Sequence, residues 1–354
     1  MQRKEIALAP LVLAGFLLLL PLAKVLSLHS FFADLGVFES LLYRIAVAKE
    51  WQLAFFGHAQ GFSLIYGELY APLPSGLAPF VLVGLQAILL VLPAFMFYRR
   101  FGVFTAFVYV AYIPLWINAH FDFHFDHLAV PLLAGFYIAL MDRRIAWAVL
   151  YAILLMLVKE PFALETAACG VLLSWLGVKG KAMNGDSLAY SERRWLMAGG
   201  AGLVAVGLMY FYFVMHYLIP FFTTEGGRGA LESDAFDWLG HSIGEMASNI
   251  VLQPHLILNE IFTTPGKLVY LAVVFGLLAF IPLLRPALLI PAIPLLAISM
   301  FSRLTNYYDY NTHYTSGLII TVMFAFVYGL PRAEWIWERV HTWVGLRWRL
   351  GGGG

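Results

Sequence analysis

SGLAPFVLVGLQAILLVLPAFMF, residues 75–97, is an apolar run long enough to cross the hydrocarbon core of a membrane. That core is about 30 Å thick, and a helix needs about 20 apolar residues to span it. Comparable runs occur at residues 7–23 and 202–222. A soluble domain cannot bury so many such segments, so the sequence predicts an integral membrane protein. Because lipid forces backbone polar groups to pair within a segment, we expect the spans to be α-helices.

The composition agrees with a membrane protein and argues against a nucleic-acid partner. The chain of 354 residues is 61% hydrophobic and 12% charged, with a net charge of +1. No basic stretch with interleaved aromatic residues resembles a nucleic-acid surface. The first apolar run lacks a small-residue cleavage site, so it is predicted to be an uncleaved first span.

The apolar pattern predicts an all-α fold, a polytopic bundle of about ten transmembrane helices. The predicted spans are residues 6–26, 76–97, 102–118, 128–141, 145–158, 162–178, 196–220, 267–284, 287–301 and 314–330. They form a single transmembrane domain over residues 1–334. An amphipathic cytoplasmic tail rich in tryptophan and arginine follows over residues 335–354 and is predicted to contact membrane lipids.

The basic residues predict the orientation. Pairs such as Arg99–Arg100, Arg143–Arg144 and Arg193–Arg194 fall in loops on the same side as the N-terminus when ten spans are counted. The positive-inside rule then places both termini in the cytoplasm, in a cytoplasmic (inner) membrane. Most acidic residues and histidines fall in the opposite loops. We therefore expect the functional site on the outer face.

Three outer segments are long or polar. Residues 27–75 are predicted to contain an interfacial amphipathic helix, because apolar residues from Leu35 to Ile45 recur at helical spacing. Residues 221–265 are predicted to be a Gly-rich acidic loop followed by short helices. SRLTNYYDYNTHY, residues 302–314, is typical of a sugar- or headgroup-binding surface, although tyrosines are also common at any membrane interface.

Asp34 follows the first span and begins the predicted interfacial helix. An aspartate at this position is typical of a helix cap. The alternative is a catalytic base, because a partly desolvated carboxylate at the membrane surface can take a proton from an acceptor hydroxyl. Glu39 is the candidate second acid.

HFDFHFDH, residues 120–127, gathers histidines and aspartates in one short turn between two spans. If the turn were helical, His120, His124 and His127 would share one face. One hypothesis is that they bind phosphate oxygens while a carboxylate orients the acceptor. A second is a site for a divalent metal, and a third is a solvated interhelical loop.

LVKEPFALE, residues 157–165, places Lys159 and Glu160 at the outer end of a span. Lys159 is predicted either to bind a lipid phosphate or to form a structural ion pair. Arg303 and His313 flank the last outer loop, where an arginine is suited to binding a phosphate or diphosphate.

Five stretches, in this order, resemble a known family. They are ADLGVFESLLY, GFSLIYGELYAPLPSGLAPFVLVGLQA, DFHFDHLAVPLLAGFYIAL, LLMLVKEPFALE and NTHYTSGLIITVMFAFVYGL. They resemble the blocks of the membrane-protein family catalogued as domain of unknown function 2079, from about residue 30 to residue 330. That family is similar in layout to the C-type (GT-C) glycosyltransferases, polytopic enzymes that use polyprenyl-phosphate-linked sugars.

The resemblance implies an inverting transfer of a sugar from a polyprenyl-phosphate carrier to an acceptor on the outer face of the membrane. An acidic residue just after the first span is the catalytic base in that superfamily, and Asp34 holds that place here. The substrate-binding candidates are Glu39, His58, Asp122, His124, Asp126, Lys159, Glu160, Arg303 and His313. The cofactor stays unknown, and a divalent metal near His120, His124 and His127 is one alternative.

Departures from the family pattern support an alternative function. Where the family usually has His-Phe-Ser-Pro, this chain has Gly61-Phe62-Ser63-Leu64, and His58 is the nearest histidine. The usual Lys-Glu-Asp is here Lys159-Glu160-Pro161. The alternative is a catalytically inactive member that serves as a structural or accessory subunit of a membrane complex. A transporter or metal-handling channel is a third hypothesis, although no inverted repeat is evident.

Overall fold

The computed structural model describes residues 2–30, 32–223 and 235–351. Within these residues the fold is all-helical, and the only β-pairing is an isolated bridge between Lys181 and Ser187. This confirms the all-α prediction. Part of the predicted Gly-rich loop, residues 224–234, lies outside the described residues, as do the last three glycines.

The described residues of the first half of the chain form nine α-helices. They are α1 (Gln2–Leu26), α2 (Phe32–Ala46), α3 (Phe62–Tyr70), α4 (Ala78–Phe101), α5 (Val103–Ala111), α6 (Ile113–His120), α7 (Ala129–Met141), α8 (Ile145–Leu155) and α9 (Pro161–Lys179). Short 3₁₀ helices at Trp51–Phe55 and Phe125–Leu128 precede α3 and α7.

The second half of the described chain is more broken. Its α-helices are α10 (Tyr190–Phe213), α11 (Ile219–Phe222), α12 (Ile243–Leu252), α13 (Pro254–Thr263), α14 (Pro265–Phe275), α15 (Ile293–Phe301) and α16 (Ser316–Gly351). A π-helical turn at Val214–Leu218 links α10 to α11. The 3₁₀ helices are Gly276–Leu278, Ile281–Leu284, Pro286–Ala292, Thr305–Tyr307 and His313–Thr315.

Each of the ten predicted spans overlaps an apolar helix. Five helices in the described chain are long and apolar enough to cross a membrane, and the number rises to seven if two bent pairs each count as one span. Those pairs, α5 with α6 and α13 with α14, bend by 53° and 85°. Three further apolar helices are shorter. The structure thus supports a polytopic membrane protein, and the count of ten stays a prediction.

Small residues allow α9 and α10 to pack closely. A Cβ added to Gly200 would lie 2.6 Å from the carbonyl oxygen of Gly170, and one added to Gly207 would lie 2.6 Å from that of Ala163. Such contacts are typical of membrane helices, where association depends on van der Waals packing between backbones. The close pair fixes the beginning of α9, which carries part of the site described below.

Polar contacts gather at the two opposite ends of the bundle. At one end the side chains of Arg100 and Asp142 pair at 2.6 Å, and Arg143 pairs with Glu192 at 3.3 Å. The other end, which we call the site end, holds the last turn of α1, α2, and the first turns of α7, α9 and α16. The acidic and histidine residues that the sequence analysis singled out lie at the site end.

The predicted amphipathic helix is present as α2. Leu35, Phe38, Leu42 and Ile45 are buried, whereas Val37 is exposed. The buried face contacts protein: the ring of Phe38 lies 5.3 Å from that of Phe125. Protein packing therefore fixes the position of α2 relative to the turn after α6.

At the C-terminus, α16 runs without a break through residue 334, where the sequence analysis placed the boundary between the transmembrane domain and the tail. Pro331 lies inside this helix. The boundary itself stays a prediction.

Candidate active site at the site end of the bundle

The stretch 120–127 is not one helix. The backbone is extended at Phe121, where α6 ends, and again at His124, before the 3₁₀ helix Phe125–Leu128. The predicted common face of His120, His124 and His127 is therefore wrong, because an extended chain turns successive side chains apart. His120 is exposed, while His127 is buried and accepts a hydrogen bond from the Tyr66 hydroxyl at 3.2 Å.

A glutamine on α4 fixes this turn. The Nε2 group of Gln86 donates hydrogen bonds to the carbonyl oxygens of Asn118 and Phe121, at 3.1 and 3.2 Å. Its Oε1 accepts from the backbone N–H of His124 at 3.1 Å. Gln86 is buried, and this pairing satisfies backbone groups that would otherwise be buried without partners. In the sequence, the signal for this role is a single amide side chain, that of Gln86, in an otherwise apolar segment.

A buried ion pair joins the turn to the end of α1. The Nζ of Lys24 lies 2.7 Å from Oδ1 of Asp122 and donates to the His120 carbonyl at 2.9 Å. Both side chains are buried. Asp122, predicted to bind substrate, is thus engaged by the protein itself. Lys24 lies in an otherwise apolar run and is not among the residues predicted to form the site.

Asp34 and His124 come together from distant parts of the chain. Oδ1 of Asp34, in the first turn of α2, lies 3.8 Å from Nε2 of His124. Burial raises the pKa of Asp34, and the charge of Asp122 raises this pKa further, while Lys24 lowers it. The side chain stays 38% exposed. A partly exposed carboxylate with a raised pKa has the properties of a general base.

His313, in the 3₁₀ helix that precedes α16, joins this pair through its ring. The imidazoles of His124 and His313 stack with centroids 3.8 Å apart. Nε2 of His313 lies 3.4 Å from Oδ2 of Asp126. Burial lowers the pKa of His124, and the charge of His313 lowers it further, so His124 favours its neutral form.

Lys159 brings a positive charge close to Asp126 and to the ring of Tyr314. It is only 7% exposed, and its Nζ lies 5.6 Å from the centre of the Tyr314 ring. Burial lowers the pKa of Lys159, but the charge of Asp126, Tyr314 and Glu160 outweighs burial and raises this pKa. Among the described residues, no carboxylate lies within ion-pair distance of the ammonium group. A charged, buried lysine of this kind is suited to binding an anion.

Glu160 is held by the segment before α3. Its Oε1 lies 2.8 Å from Nδ1 of His58, and its Oε2 accepts from the Ala59 backbone N–H at 3.1 Å. Burial would raise the pKa of Glu160, but His58 and Lys159 outweigh burial, so the pKa is lowered. Glu160 is therefore ionised at neutral pH.

Four of these side chains, those of His58, Asp126, Lys159 and Glu160, line a narrow cleft with about 650 Å³ of empty space, counting the part open to solvent. Asp34, His124 and His313 are not among its lining residues. The polar residues lining it are His58, Asp126, Lys159, Glu160, Ser299, Tyr307, Tyr314 and Ser316. Its apolar walls include Phe162, Phe211, Phe236, Leu295 and Ile298. Burial raises the pKa of Tyr307 to about 12, so this tyrosine is a neutral hydrogen-bonding group. The two cleft tyrosines come from the tyrosine-rich segment that the sequence analysis left between two interpretations.

Two predicted site residues lie apart from the cluster. The carboxylate of Glu39 accepts a hydrogen bond of 3.4 Å from the Tyr70 hydroxyl. The guanidinium of Arg303 lies 3.4 Å from Glu260 and over the ring of Trp238, and Arg303 does not line the cleft. Sequence spacing gave no sign of Glu260 as a partner for this arginine.

The described residues contain no group of three or more His, Cys, Asp or Glu side chains that could hold a metal ion. The histidines of the turn after α6 point to different neighbours, which explains why they do not form a ligand set.

Fold and site together define a polytopic helical membrane protein with a charged cleft at one end of the bundle. The profile of the family described as "Predicted membrane protein (DUF2079)" matches residues 34–350, so the chain belongs to this family. The matched range includes Asp34 and the other site residues named above, except Lys24. Neither a curated protein nor a solved structure matches the chain.

Proposed function

We propose that this protein is a GT-C-like membrane glycosyltransferase. It moves a sugar from a polyprenyl-phosphate carrier to an acceptor on the outer face of the cytoplasmic membrane. The observation that carries this proposal is the convergence of Asp34 with His124, at 3.8 Å, beside a cleft lined by a buried lysine. A base, a cation and an apolar wall next to one another are what transfer from a lipid phosphate needs.

Lys159 supplies the phosphate contact. Its ammonium group is buried and lines the cleft. Placing a phosphate there would give the buried cation the partner that the described residues do not provide, through a charge-assisted hydrogen bond. The apolar side chains Phe162, Leu295 and Ile298 line the same cleft and suit the first carbons of an isoprenoid chain.

Asp34 supplies the proton acceptor. Its carboxylate takes the proton of the acceptor hydroxyl while the oxygen attacks the anomeric carbon of the sugar. The bond from that carbon to the phosphate oxygen breaks, and its electron pair leaves with the phosphate, whose charge Lys159 stabilises. A direct attack of this kind inverts the configuration at the anomeric carbon.

The orientation belongs to the same proposal. The opposite end of the bundle holds Arg100, Arg143 and Arg332, consistent with a cytoplasmic surface under the positive-inside rule. The site end would then face outward, where lipid-linked sugars are used, and both termini would lie in the cytoplasm.

The test is the substitution Asp34→Asn, which keeps the shape of the side chain and removes the base. Cells expressing it in place of the native protein should accumulate the lipid-linked sugar and lose the glycosylated acceptor. Glu39→Gln is the matched control, because Glu39 lies on the same helix but contacts Tyr70 outside the cleft. Sugar pools unchanged by Asp34→Asn, with stable co-purification of other membrane proteins, would instead indicate an accessory subunit.

A further inference from the structure

His58 has a fixed orientation. A carboxylate can only accept hydrogen bonds, and Oε1 of Glu160 lies 2.8 Å from Nδ1 of His58, so Nδ1 carries the proton. The carboxylate is itself held by the Ala59 N–H and is 1% exposed. In the neutral ring, Nε2 is therefore a hydrogen-bond acceptor. Pairing of one ring nitrogen with a buried carboxylate is the usual way to orient a functional histidine.

His58 also lies where two cavities meet. It lines the cleft that contains Lys159, and it lines a second, wider groove of about 1230 Å³, counting the part open to solvent. Its side chain is 39% exposed, in contrast to the buried Glu160. A ligand in the groove can therefore reach His58 without crossing the floor of the cleft.

The groove runs along α2, the helix that carries Asp34. Its wall on α2 is formed by Gly36, Val37, Phe38, Ser40, Leu41 and Arg44. The opposite wall consists of Leu53, Phe56, His58 and Gln60. The groove is thus mostly apolar, with Ser40, Arg44, His58 and Gln60 as its polar residues, and of these His58 also lines the cleft. This distribution matches a ligand with an apolar body and a polar head.

We propose that the groove along α2 binds the acceptor, an amphipathic alcohol. Nε2 of His58 accepts a hydrogen bond from a hydroxyl of its polar head other than the reacting one, whose proton goes to Asp34. That this alcohol is the acceptor of the sugar rests on the proposed function, whereas the binding of an amphipathic alcohol in the groove does not. His58 is a positioning residue, and Glu160 acts through it by fixing which nitrogen bears the lone pair.

The chemistry of the junction selects a hydrogen-bond donor. A lone pair on Nε2 repels carboxylates and phosphates and attracts an O–H or N–H group, whereas a quaternary ammonium has no hydrogen to donate. Lys159 lines the same cleft as His58, and the carboxylates of Asp126 and Glu160 offset its charge there. A hydroxyl meets the need for a donor, and the apolar walls formed by Val37, Leu41 and Phe56 favour an alcohol with an apolar tail.

The experiment measures the reaction of individual histidines with diethyl pyrocarbonate, which acylates unprotonated imidazole nitrogens. The full-length protein is placed in phosphatidylcholine nanodiscs near pH 8. Mass spectrometry follows each residue. His29, which is exposed and lies outside both cavities, is the internal reference. The probe is n-octyl-β-D-glucoside, and octyltrimethylammonium, which has the same chain but a cationic head, is its matched control.

We expect octyl glucoside to slow acylation of His58 and to leave His29 unchanged. At ten times its dissociation constant the slowing should be about tenfold, because only the unoccupied fraction reacts. Octyltrimethylammonium should not protect His58. Equal protection by both amphiphiles, or no protection by octyl glucoside at any concentration below micelle formation, would overturn the proposal.

The variant Glu160→Gln tests the orientation of the ring. A glutamine can donate to Nδ1 as well as accept from it, so the lone pair should no longer be confined to Nε2 and protection by octyl glucoside should fall. Protection equal to that of the native protein would overturn the role of Glu160. If this variant does not fold, protection of the native protein alone decides whether the groove binds alcohols. Binding measured this way does not depend on sugar transfer, so a negative result with Asp34→Asn and a negative result here can be distinguished.

Discussion

The imidazole rings of His124 and His313 stack at a centroid distance of 3.8 Å, and each ring has its own carboxylate neighbour. Asp34 lies 3.8 Å from His124, and Asp126 lies 3.4 Å from His313. Two stacked imidazoles repel when both are protonated. The arrangement is therefore stable only while at most one ring is charged, and this links the integrity of the site to pH.

Protonation of His124 should destabilise the protein below about pH 6.5. Burial and the charge of His313 lower its pKa from the ordinary value of 6.5, so the unfolded chain binds a proton more readily than the folded one. The protein keeps its full stability above pH 6.5 and loses stability as the pH falls toward the pKa of His124 in the folded state. Asp126 opposes this loss in part, and Lys159 adds to it.

The measurement is the thermal midpoint of the detergent-solubilised protein between pH 5 and 7.5. The decrease on acidification should be smaller for His124→Gln than for the native protein, and His29→Gln, at an exposed position, should behave like the native protein. The pH range stays above the ordinary glutamate pKa of 4.5, and the pKa of Glu160 is lowered from that value. Glu160 therefore stays ionised and does not contribute to the change in the thermal midpoint. Parallel pH curves for the native protein and His124→Gln would contradict the prediction.

Removing Lys24 should be strongly destabilising, because its partner Asp122 would remain as a buried, uncompensated charge. The two side chains pair at 2.7 Å and are both buried. Breaking such a pair on one side costs about 3–5 kcal/mol. We expect a clear fall in the thermal midpoint of Lys24→Met.

Replacing both partners should restore much of this loss. In the variant Lys24→Met with Asp122→Leu no charge is left buried, and replacement of a buried ion pair by apolar residues is often neutral. A double variant no more stable than Lys24→Met alone would mean that the ion pair is not what holds the turn to α1.

Replacing Lys159 should weaken the binding of a lipid phosphate. Lys159→Gln keeps a polar side chain in the cleft but removes the charge. Loss of a hydrogen bond to a charged group costs about 1.5–3 kcal/mol, so affinity for farnesyl phosphate should fall by about tenfold or more. Native mass spectrometry in nanodiscs gives the measurement, and Lys49→Gln, at an exposed position, is the control. An equal loss in both variants would indicate non-specific attraction to the membrane surface.

Much of the fold follows from local pattern. Each apolar run predicted a helix, because hydrophobic length and helical periodicity are properties of consecutive residues. The helix at Phe32–Ala46 was predicted in the same way. The break after His120 was not, since it depends on hydrogen bonds from Gln86 on another helix.

The site was only partly predictable for the same reason. Asp34, His124 and Lys159 were chosen by residue type and by family resemblance, and the structure brings them to one end of the bundle. Which side chains pair is decided by packing between distant segments. The pairing of Lys24 with Asp122 could not be read from spacing alone.

The contact between α9 and α10 offers a matched pair of glycine substitutions on one helix. A Cβ on Gly200 would lie 2.6 Å from the carbonyl oxygen of Gly170, whereas a Cβ on Gly202 would meet no atom within 4 Å. Gly200→Ala should therefore force the helices apart and lower stability by about 1–3 kcal/mol, as is usual for overpacking. Gly202→Ala should be neutral or slightly stabilising, because alanine has the higher helix propensity. Thermal unfolding of both variants in the same detergent gives the comparison. If Gly200→Ala also displaces the first turn of α9, binding of farnesyl phosphate should fall as well. A thermal midpoint of Gly200→Ala equal to that of the native protein would show that the two helices are not held at this distance.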